Sequence, residues 1–310
     1  MTSTRHLGLD LGGTQLKWAV VDFTDAAWGR IATDRVPTRV DAGAEGIIDQ
    51  LGETASAAAA GWGPIASVGV GIPGRYDAAG GRVIMTPNIP VRWEGTHLVA
   101  RLEQLVGVPV HLLNDARAFT LAELRLGAGR GAETLVGMTL GTGVGGGIAI
   151  RGTLYLGRDG AAGEIGHQTI DPDGPLCNCG NRGCVEAFAR ADVIAATCGT
   201  STVEEAVRAA AAGDARAVDG LAQVGRYLGI GIANIVTVLT PDRVVVGGGV
   251  AAAGEVLFAQ VRAELERRVR MTGTATVELV RAELGIWAGA IGAAIHGAEA
   301  AAQARDRLDR

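Results

Sequence analysis

The stretch that decides the fold is LGLDLGGTQLKWAVVD, residues 7–22. Leucines alternate with Gly8 and Asp10 up to Leu11, glycines then break the run, and LKWAVVD resumes it. An alternation of period two that is interrupted by glycines is typical of a strand, a tight turn and a second strand. The sequence therefore predicts a β-hairpin near the start of the chain.

The same pattern returns in LVGMTLGTGVGGGIAIRG, residues 135–152. An offset of 129 positions, the difference between 140 and 11, sets Leu11 against Leu140 and Asp10 against Thr139. Further on, RVVVGGGVA (243–251) resembles ASVGVGIPG (66–74), and each has the pattern of a strand that ends in a glycine turn. These matches predict an internal duplication.

Helical patterns separate the predicted strands. Apolar residues recur at helical spacing in 43–60, 96–106, 217–239 and 285–304. The run VPVHLLND (108–115) has the pattern of a buried strand, after which Asp115 opens a helix that Gly127 ends. Strands that alternate with helices predict an α/β protein with two related halves.

Composition excludes several classes of protein. The chain has 310 residues, of which 48% are hydrophobic and 20% charged, so a disordered chain is excluded. The net charge of −5 argues against a general nucleic-acid binder. No apolar run is long enough for a membrane span, and the N-terminus lacks the pattern of a signal peptide. We therefore expect a cytoplasmic protein without membrane contacts, in a compartment that disfavours structural disulfides.

The two glycine turns allow two interpretations. Phosphates need closely spaced backbone N–H donors, and glycine lets a backbone approach them closely. Neither turn is a P-loop, and each continues into a second strand rather than the helix of a dinucleotide fingerprint. One such turn alone would be interpreted as an ordinary hairpin, but two matched copies favour phosphate binding. Asp10, just before the first turn, either caps that turn or holds Mg²⁺ beside phosphates.

Asp115 also has two interpretations. As the first polar group after a buried strand and before a helix, it could serve as an N-cap, which is a common role for aspartate. Polar groups at strand ends are also where active sites of α/β proteins gather, so it could be a general base. The two roles are compatible, because a capping carboxylate at such a position stays oriented.

Three of the four cysteines lie in CNCGNRGC, residues 177–184. Zinc takes four nitrogen or sulfur ligands in a tetrahedron, and Cys177, Cys179, Cys184 and the upstream His167 supply such a set. A disulfide across C-x-C would be strained, and the C-x-x-C of thioredoxins is absent. A zinc site is therefore favoured. Cys198 lies in an apolar stretch and is predicted to be a core residue.

Two carboxylates flank the predicted zinc site. Glu164 precedes His167, and Glu186 follows Cys184. They are either exposed loop charges or, next to a rigid metal site, acceptors for sugar hydroxyls. The position beside the metal favours the second interpretation.

Together these motifs resemble those of the ROK family of sugar kinases and sugar-responsive repressors. The resemblance covers nearly the whole chain, in the order LDLGGT, GIPG, PN, LLNDA, LGTGVGGGI, GEIGH, CNCGNRGCVE and VVVGGGV. It implies an actin-like, ribonuclease-H-like ATPase fold with two domains and a cleft. The expected domains are 1–117 plus 288–310, and 118–287 with the zinc loop.

The resemblance also implies roles for individual residues. Asp115 is the expected catalytic base. The expected sugar contacts are Asn88, Asn114, Asp115, Glu164, His167 and Glu186. The expected ATP contacts are Asp10, Gly12, Gly13, Thr14, Gly141, Thr142, Gly143, Gly248 and Gly249. Structural zinc is expected on His167, Cys177, Cys179 and Cys184, and Mg²⁺ is expected with ATP. The family pattern NDANAA is replaced by NDARAF here, so Arg117 and Phe119 are expected to alter the helix beside the sugar.

The implied activity is an ATP-dependent hexose kinase acting on the 6-hydroxyl of glucose, in a homodimer or homotetramer. Kinases for N-acylhexosamines, mannose or fructose, and polyphosphate as the donor, remain alternatives. A sugar-sensing regulator is the alternative from another class. Such regulators carry a helix-turn-helix module before the sugar domain, and no such module is expected where the first strand begins near residue 7.

Overall fold

The structure is a computed structural model that describes residues 4–24, 27–87, 89–93, 96–272 and 277–308. The elements up to Gly127 are β1 (Thr4–Leu11), β2 (Gln15–Thr24), β3 (Ala27–Pro37), α1 (Gly43–Trp62), β4 (Ile65–Ile72), β5 (Arg75–Asp77), β6 (Arg82–Met85), α2 (Leu98–Val106), β7 (Val110–Asn114) and α3 (Asp115–Leu126). The later elements are β8 (Leu135–Leu140), β9 (Val144–Ile150), β10 (Thr153–Leu154), α4 (Val185–Ala189), α5 (Ala191–Cys198), α6 (Val203–Ala211), α7 (Ala215–Leu239), β11 (Arg243–Gly247), α8 (Glu255–Arg268), β12 (Glu278–Arg281) and α9 (Ala288–Leu308).

The first sheet has the strand order β3-β2-β1-β4-β7. The predicted hairpin is confirmed, because β1 and β2 pair antiparallel with Leu11 opposite Leu16. Strands β1, β4 and β7 run parallel to one another. The carboxyl ends of these three strands therefore meet at one edge of the sheet, where functional groups gather in α/β proteins.

Helix α9 packs on this sheet at very short range. A side chain at Gly8 of β1 would overlap the carbonyl of Ala290, and one at Gly69 of β4 would overlap the carbonyl of Ala293. On another side of α9, a side chain at Gly292 would overlap the carbonyl of Ala118 in α3. Glycine is thus required where the helix backbone touches the strands and α3.

The second sheet has the order β10-β9-β8-β11-β12. Strands β8 and β9 form the second predicted hairpin, and β8, β11 and β12 are parallel. Position by position this is the order of the first sheet, which supports the predicted duplication. The turns differ in length, because Leu140 pairs with Val144 whereas Leu11 pairs with Leu16. The second turn is therefore one residue shorter than the first.

Helix α7 is the central helix beneath the second sheet. Among the residues that the structure describes, it is the one helix long and apolar enough to cross a membrane by length and composition. Its Leu221, Leu228, Ile232 and Val236 are at most 1% exposed and belong to the core around β8 and β11. Its apolar character is therefore explained by burial inside the protein.

Contacts divide the chain into two compact units. The first unit is Met1–Gly127, Leu156–Ala162 and Ile286–Arg310, and the second is Ala128–Tyr155 and Gly163–Gly285. The expected boundary after residue 117 would have cut α3, whereas all of α3 lies in the first unit because it packs on α9. Segment 156–162 joins that unit as well, through a hydrogen bond from Nε of Arg117 to the carbonyl of Ala162 at 2.7 Å.

Candidate functional site

In the first unit, candidate residues lie at the shared carboxyl edge of the parallel strands. Asp10 is the last residue but one of β1, and Asn114 ends β7 directly before Asp115. Between them, β4 continues into Gly74, whose carbonyl accepts a hydrogen bond from Nδ2 of Asn114 at 3.2 Å. The parallel pairing therefore brings the predicted base to the same sheet edge as the first glycine turn. Asn88 lies outside the described residues.

The start of α3 is capped by Asn114. Its Oδ1 accepts the backbone N–H groups of Ala116 at 3.0 Å and Arg117 at 3.3 Å. Asp115 is the first helical residue, and its Oδ1 accepts only the N–H of Ala116, at 2.8 Å. The interpretation of Asp115 as the N-cap was therefore wrong. The geometry at the end of the strand gives the capping role to Asn114, one residue earlier.

The carboxyl group of Asp115 is poised to hold or release a proton near neutral pH. Burial and, to a lesser extent, the negative charge of Asp10 raise the pKa of Asp115 from 3.8 to about 7. The N–H of Ala116 and the positive charges of Arg117 and Lys17 oppose the rise. A general base works best when its pKa lies near the operating pH, so this environment suits proton abstraction.

The raised pKa of Asp115 predicts a pH-dependent cost to stability. A carboxyl whose folded pKa is raised contributes full stability below its unfolded pKa of 3.8 and loses that contribution as pH rises through about 7. Asparagine mimics the protonated form, so Asp115→Asn should be more stable than wild type. Its advantage should grow between pH 5 and 9 by about 2 to 3 kcal/mol, because one pKa unit corresponds to about 1.4 kcal/mol. Urea denaturation of both proteins across that range tests this, and a constant difference would contradict it.

Asp10 is paired with Lys17, a residue that the sequence analysis missed. Nζ of Lys17 lies 3.0 Å from Oδ2 of Asp10, and the two residues face each other across the β1–β2 hairpin. Asp10 is only 9% exposed, whereas Lys17 is half-buried, so the pair is partly shielded from water. Asp10 is an oxygen donor of the kind that Mg²⁺ takes, and Lys17 adds a cation beside the first glycine turn. Gly12 and Gly13 are half-buried and Thr14 is exposed in that turn.

In the second unit, the predicted zinc ligands converge. One donor atom each from His167, Cys177, Cys179 and Cys184 lie within 4.8 Å of one another. Sγ of Cys179 is 3.7 Å from Sγ of Cys184, and Sγ of Cys177 is 3.7 Å from Nδ1 of His167. Tetrahedral zinc with its usual bond lengths would separate two sulfurs by about 3.8 Å, and a sulfur and a nitrogen by about 3.6 Å. These four residues therefore fit a zinc ion.

His167 turns its two ring nitrogens in different directions. Nδ1 faces Cys177, whereas Nε2 lies 3.9 Å from Oε2 of Glu164. Glu164 is exposed, so its carboxylate can meet a ligand from solvent. The structure therefore groups Glu164 and Nε2 of His167 on the side of the ring away from the cysteines.

The glycine turns of the second unit lie side by side. Strands β8 and β11 are parallel neighbours, and their ends lead into Gly141 and Gly248. Gly248 has φ 89°, and a side chain there would overlap the carbonyl of Leu140. Gly141, Thr142, Gly248 and Gly249 are exposed, although the strands that precede them are buried. Adjacent exposed turns at the carboxyl edge of a parallel pair suit a phosphate-bearing ligand.

Four further residues are placed as follows. Glu186 is half-buried, and its Oε2 accepts the backbone N–H of Val144 at 2.9 Å. Arg117 and Phe119 of α3 are 2% and 5% exposed, so both lie in the interior of the first unit. Cys198 is 2% exposed and lies outside the zinc cluster, which confirms it as a core residue.

Comparison with known proteins identifies the family. Residues 6–299 match the ROK family, and the chain therefore belongs to it. The chain is 34% identical to a glucokinase of Thermotoga maritima, covering 95% of this chain and 97% of that one. It superimposes on a ROK hexokinase from Thermus thermophilus with a TM-score of 0.83, at 35% identity and with 97% and 100% of the two chains covered.

A second solved structure is a ROK family glucokinase from Streptomyces griseus in complex with glucose and AMPPNP. It matches with a TM-score of 0.79 at 33% identity, over 96% of this chain and all of that one. These matches confirm the expected α/β, actin-like ATPase fold with two domains. Repressors also match: the xylose repressor of Bacillus subtilis is 31% identical over 74% of this chain and 60% of that protein.

Proposed function

We propose that this protein is an ATP-dependent hexose kinase that phosphorylates the 6-hydroxyl of glucose. The observation that carries the proposal is Asp115, a carboxyl at a parallel strand end with its pKa raised to about 7. The relatives that match over nearly full length include a glucokinase and a ROK hexokinase, and one ROK family glucokinase was solved with glucose and AMPPNP.

In the proposed reaction, Asp115 accepts the proton of the sugar's 6-hydroxyl. The hydroxyl oxygen bonds to the γ-phosphorus of ATP as the bond from that phosphorus to the β–γ bridging oxygen breaks, and ADP leaves. Phosphoryl transfer depends mostly on positioning and on stabilising the phosphate charge. Lys17 and the glycine turns are the groups of this chain that suit that task.

The proposed sugar contacts are Asn88, Asn114, Asp115, Glu164, His167 and Glu186. Asn114 already uses Oδ1 as the helix cap and donates from Nδ2 to Gly74, so its remaining amide hydrogen is the donor for a sugar oxygen. Nε2 of His167 and the carboxylate of Glu164, which lie 3.9 Å apart, supply a second pair of polar groups for the sugar. The proposed phosphate contacts are Asp10, Gly12, Gly13, Thr14, Gly141, Thr142, Gly143, Gly248 and Gly249.

Two metal ions belong to the proposal. Zn²⁺ on His167, Cys177, Cys179 and Cys184 would be structural, because four protein ligands leave no open position for a substrate. Mg²⁺ would accompany ATP near Asp10 and neutralise phosphate charge. We further propose a cytoplasmic location and a homodimeric or homotetrameric assembly. The division into 1–117 plus 288–310 and 118–287 also stays a proposal.

The activity test is ADP release with a panel of sugars: glucose, mannose, fructose, N-acetylglucosamine and N-acetylmannosamine. We expect glucose to have the highest kcat/KM, and ATP to be a better donor than polyphosphate. ADP release that does not depend on any sugar would contradict the kinase. If kcat/KM for another sugar were tenfold higher than for glucose, that sugar would replace glucose as the proposed substrate.

A regulator is the second candidate, because the xylose repressor is among the relatives. The kinase is favoured because the chain keeps a carboxyl with a raised pKa at position 115, which binding alone would not require. Sugar binding without any sugar-dependent ADP release would favour the regulator.

A further inference from the structure

Glu186 lies where the zinc cluster, helix α4 and the second glycine turn meet. Its Oε2 accepts the N–H of Val144, the residue that ends the 141–144 turn, at 2.9 Å. Its Oε1 lies 3.6 Å from Sγ of Cys177, a predicted zinc ligand. One side chain thus connects the metal cluster to the backbone of a predicted phosphate-binding turn.

Gly143 shows how closely the carboxylate fits the turn. A side chain at position 143 would overlap Oε2 of Glu186. The backbone of Gly143 is not among the positive-φ glycines, so its conformation is open to other residues. An alanine at position 143 would therefore displace the carboxylate of Glu186 from its place beside the turn.

A second contact fixes the other end of the turn. The carbonyl of Gly141 accepts the N–H of Ala191, the first residue of α5, at 2.9 Å. Within the turn, the N–H of Gly141 donates to the carbonyl of Gly143 at 2.9 Å. Both external contacts come from the segment 186–191, which directly follows the zinc ligand Cys184.

The segment 184–191 is itself held at both ends. Cys184 is the N-cap residue of α4, so the last zinc ligand is also the start of the helix that carries Glu186. Phe188 of α4 stacks on Tyr227 of α7, with ring centroids 4.1 Å apart. At the other end, Cys184 pairs with Thr169 in an antiparallel bridge, and its Sγ belongs to the four-residue cluster, so a bound metal would add a further constraint there.

We propose that Glu186 is a positioning residue for the 141–144 turn, and that through Glu186 the zinc cluster controls nucleotide affinity. This inference rests on the proposed function, in which the turn binds ATP phosphates. Oε2 holds the turn by a charge-assisted hydrogen bond, and Oε1 is the oxygen left for a sugar hydroxyl. One carboxylate would then serve both substrates.

The test is the affinity for AMPPNP with Mg²⁺, measured by calorimetry without sugar. Glu186→Ala should weaken AMPPNP binding about tenfold, because an N–H that loses a charged acceptor forfeits a bond of that order. Glu186→Gln should stay within about threefold of wild type, since an amide oxygen can still accept the N–H of Val144. Glu278→Ala is the matched control, because Glu278 is an exposed glutamate of the same unit that pairs with Arg243 at the amino ends of β11 and β12, and AMPPNP affinity in that variant should be unchanged.

AMPPNP binding after metal removal gives a result that a local packing defect would not reproduce. Chelation of wild type should weaken AMPPNP binding, whereas chelation of Glu186→Ala should add little further loss. Faster hydrogen exchange at the Val144 amide should accompany both changes. Additive losses would mean that zinc does not act through Glu186 and would overturn the proposal.

Gly143→Ala keeps the inference testable should Glu186→Ala lose its zinc or fail to fold, because weaker AMPPNP binding and faster exchange at the Val144 amide are then measured in a chain that keeps Glu186. The added methyl should weaken AMPPNP binding when Glu186 is present and should cost less in the Glu186→Ala background, because the overlap is gone. Equal costs in both backgrounds, or wild-type affinity in zinc-loaded Glu186→Ala, would overturn the proposal. Wild type that fails to bind AMPPNP at all would instead refute the proposed function, and this inference with it.

Discussion

Replacing Asp115 with asparagine is expected to lower kcat for sugar phosphorylation by about a thousandfold. The reason is that asparagine cannot accept the hydroxyl proton, although it has nearly the same shape. Its Oδ1 can still accept the N–H of Ala116, so the start of α3 should keep its geometry. Sugar affinity should therefore stay within about tenfold of wild type, because the amide can still hydrogen-bond a hydroxyl.

Single-turnover rates and sugar titrations would separate these two effects. Asp77→Asn is the matched control, since Asp77 belongs to the β5–β6 hairpin of the same unit, where it pairs with Arg82. That variant should keep wild-type kcat. Near-normal turnover in Asp115→Asn would refute the assignment of the base. A variant that is both inactive and more stable at pH 9 would support it, because the charge that hinders folding would then be the one that catalysis uses.

Replacing Cys179 with serine is expected to release zinc and to weaken sugar binding by a hundredfold or more. Cys179 is the exposed member of the cluster, whereas Cys177 and Cys184 are 3% and 0% exposed. Its replacement therefore removes a ligand with little change to the core. A structural zinc site can contribute about 10 kcal/mol to local folding, so loss of the ion should disorder the loop that carries His167.

Zinc content by elemental analysis, together with sugar titration, would test this second prediction. Cys198→Ala is the control, because Cys198 is a buried thiol outside the cluster and its removal should leave one zinc per chain. Full metal content in Cys179→Ser would exclude Cys179 as a ligand. Unchanged sugar affinity in the metal-free protein would show that the cluster does not support the sugar site.

The paired hairpins and the cluster of one histidine and three cysteines could be predicted because each rests on local spacing, and zinc in that cluster stays a proposal. Alternating leucines and a glycine break mark β1 and β2, and the repeat at 135–152 marks β8 and β9. His167 was predicted as the fourth zinc ligand because three thiolates alone do not complete the four-ligand shell of zinc. Family resemblance then added the candidate sugar and phosphate contacts, which remain predictions for most residues.

Other features depend on contacts that spacing does not encode. Strand β3 is mostly half-exposed along its length, so it lacks the alternation that marks a strand. Lys17 could have been found by extending the hairpin register, since pairing Leu11 with Leu16 sets Asp10 opposite Lys17. The bond from Val144 to Glu186 spans 42 residues, and only the fold brings its ends together. Asn114 became the cap because β7 ends one residue earlier than expected.

The close packing of α9 has a consequence for the order in which the chain is made. Domains commonly fold as they leave the ribosome, beginning at the N-terminus. Here the first sheet needs a helix that is synthesised only after the second unit, since Gly8 and Gly69 lie against Ala290 and Ala293. A nascent chain would therefore expose that apolar sheet face throughout translation of the second unit. Chaperone dependence during synthesis, and intolerance of C-terminal truncation, follow from this arrangement.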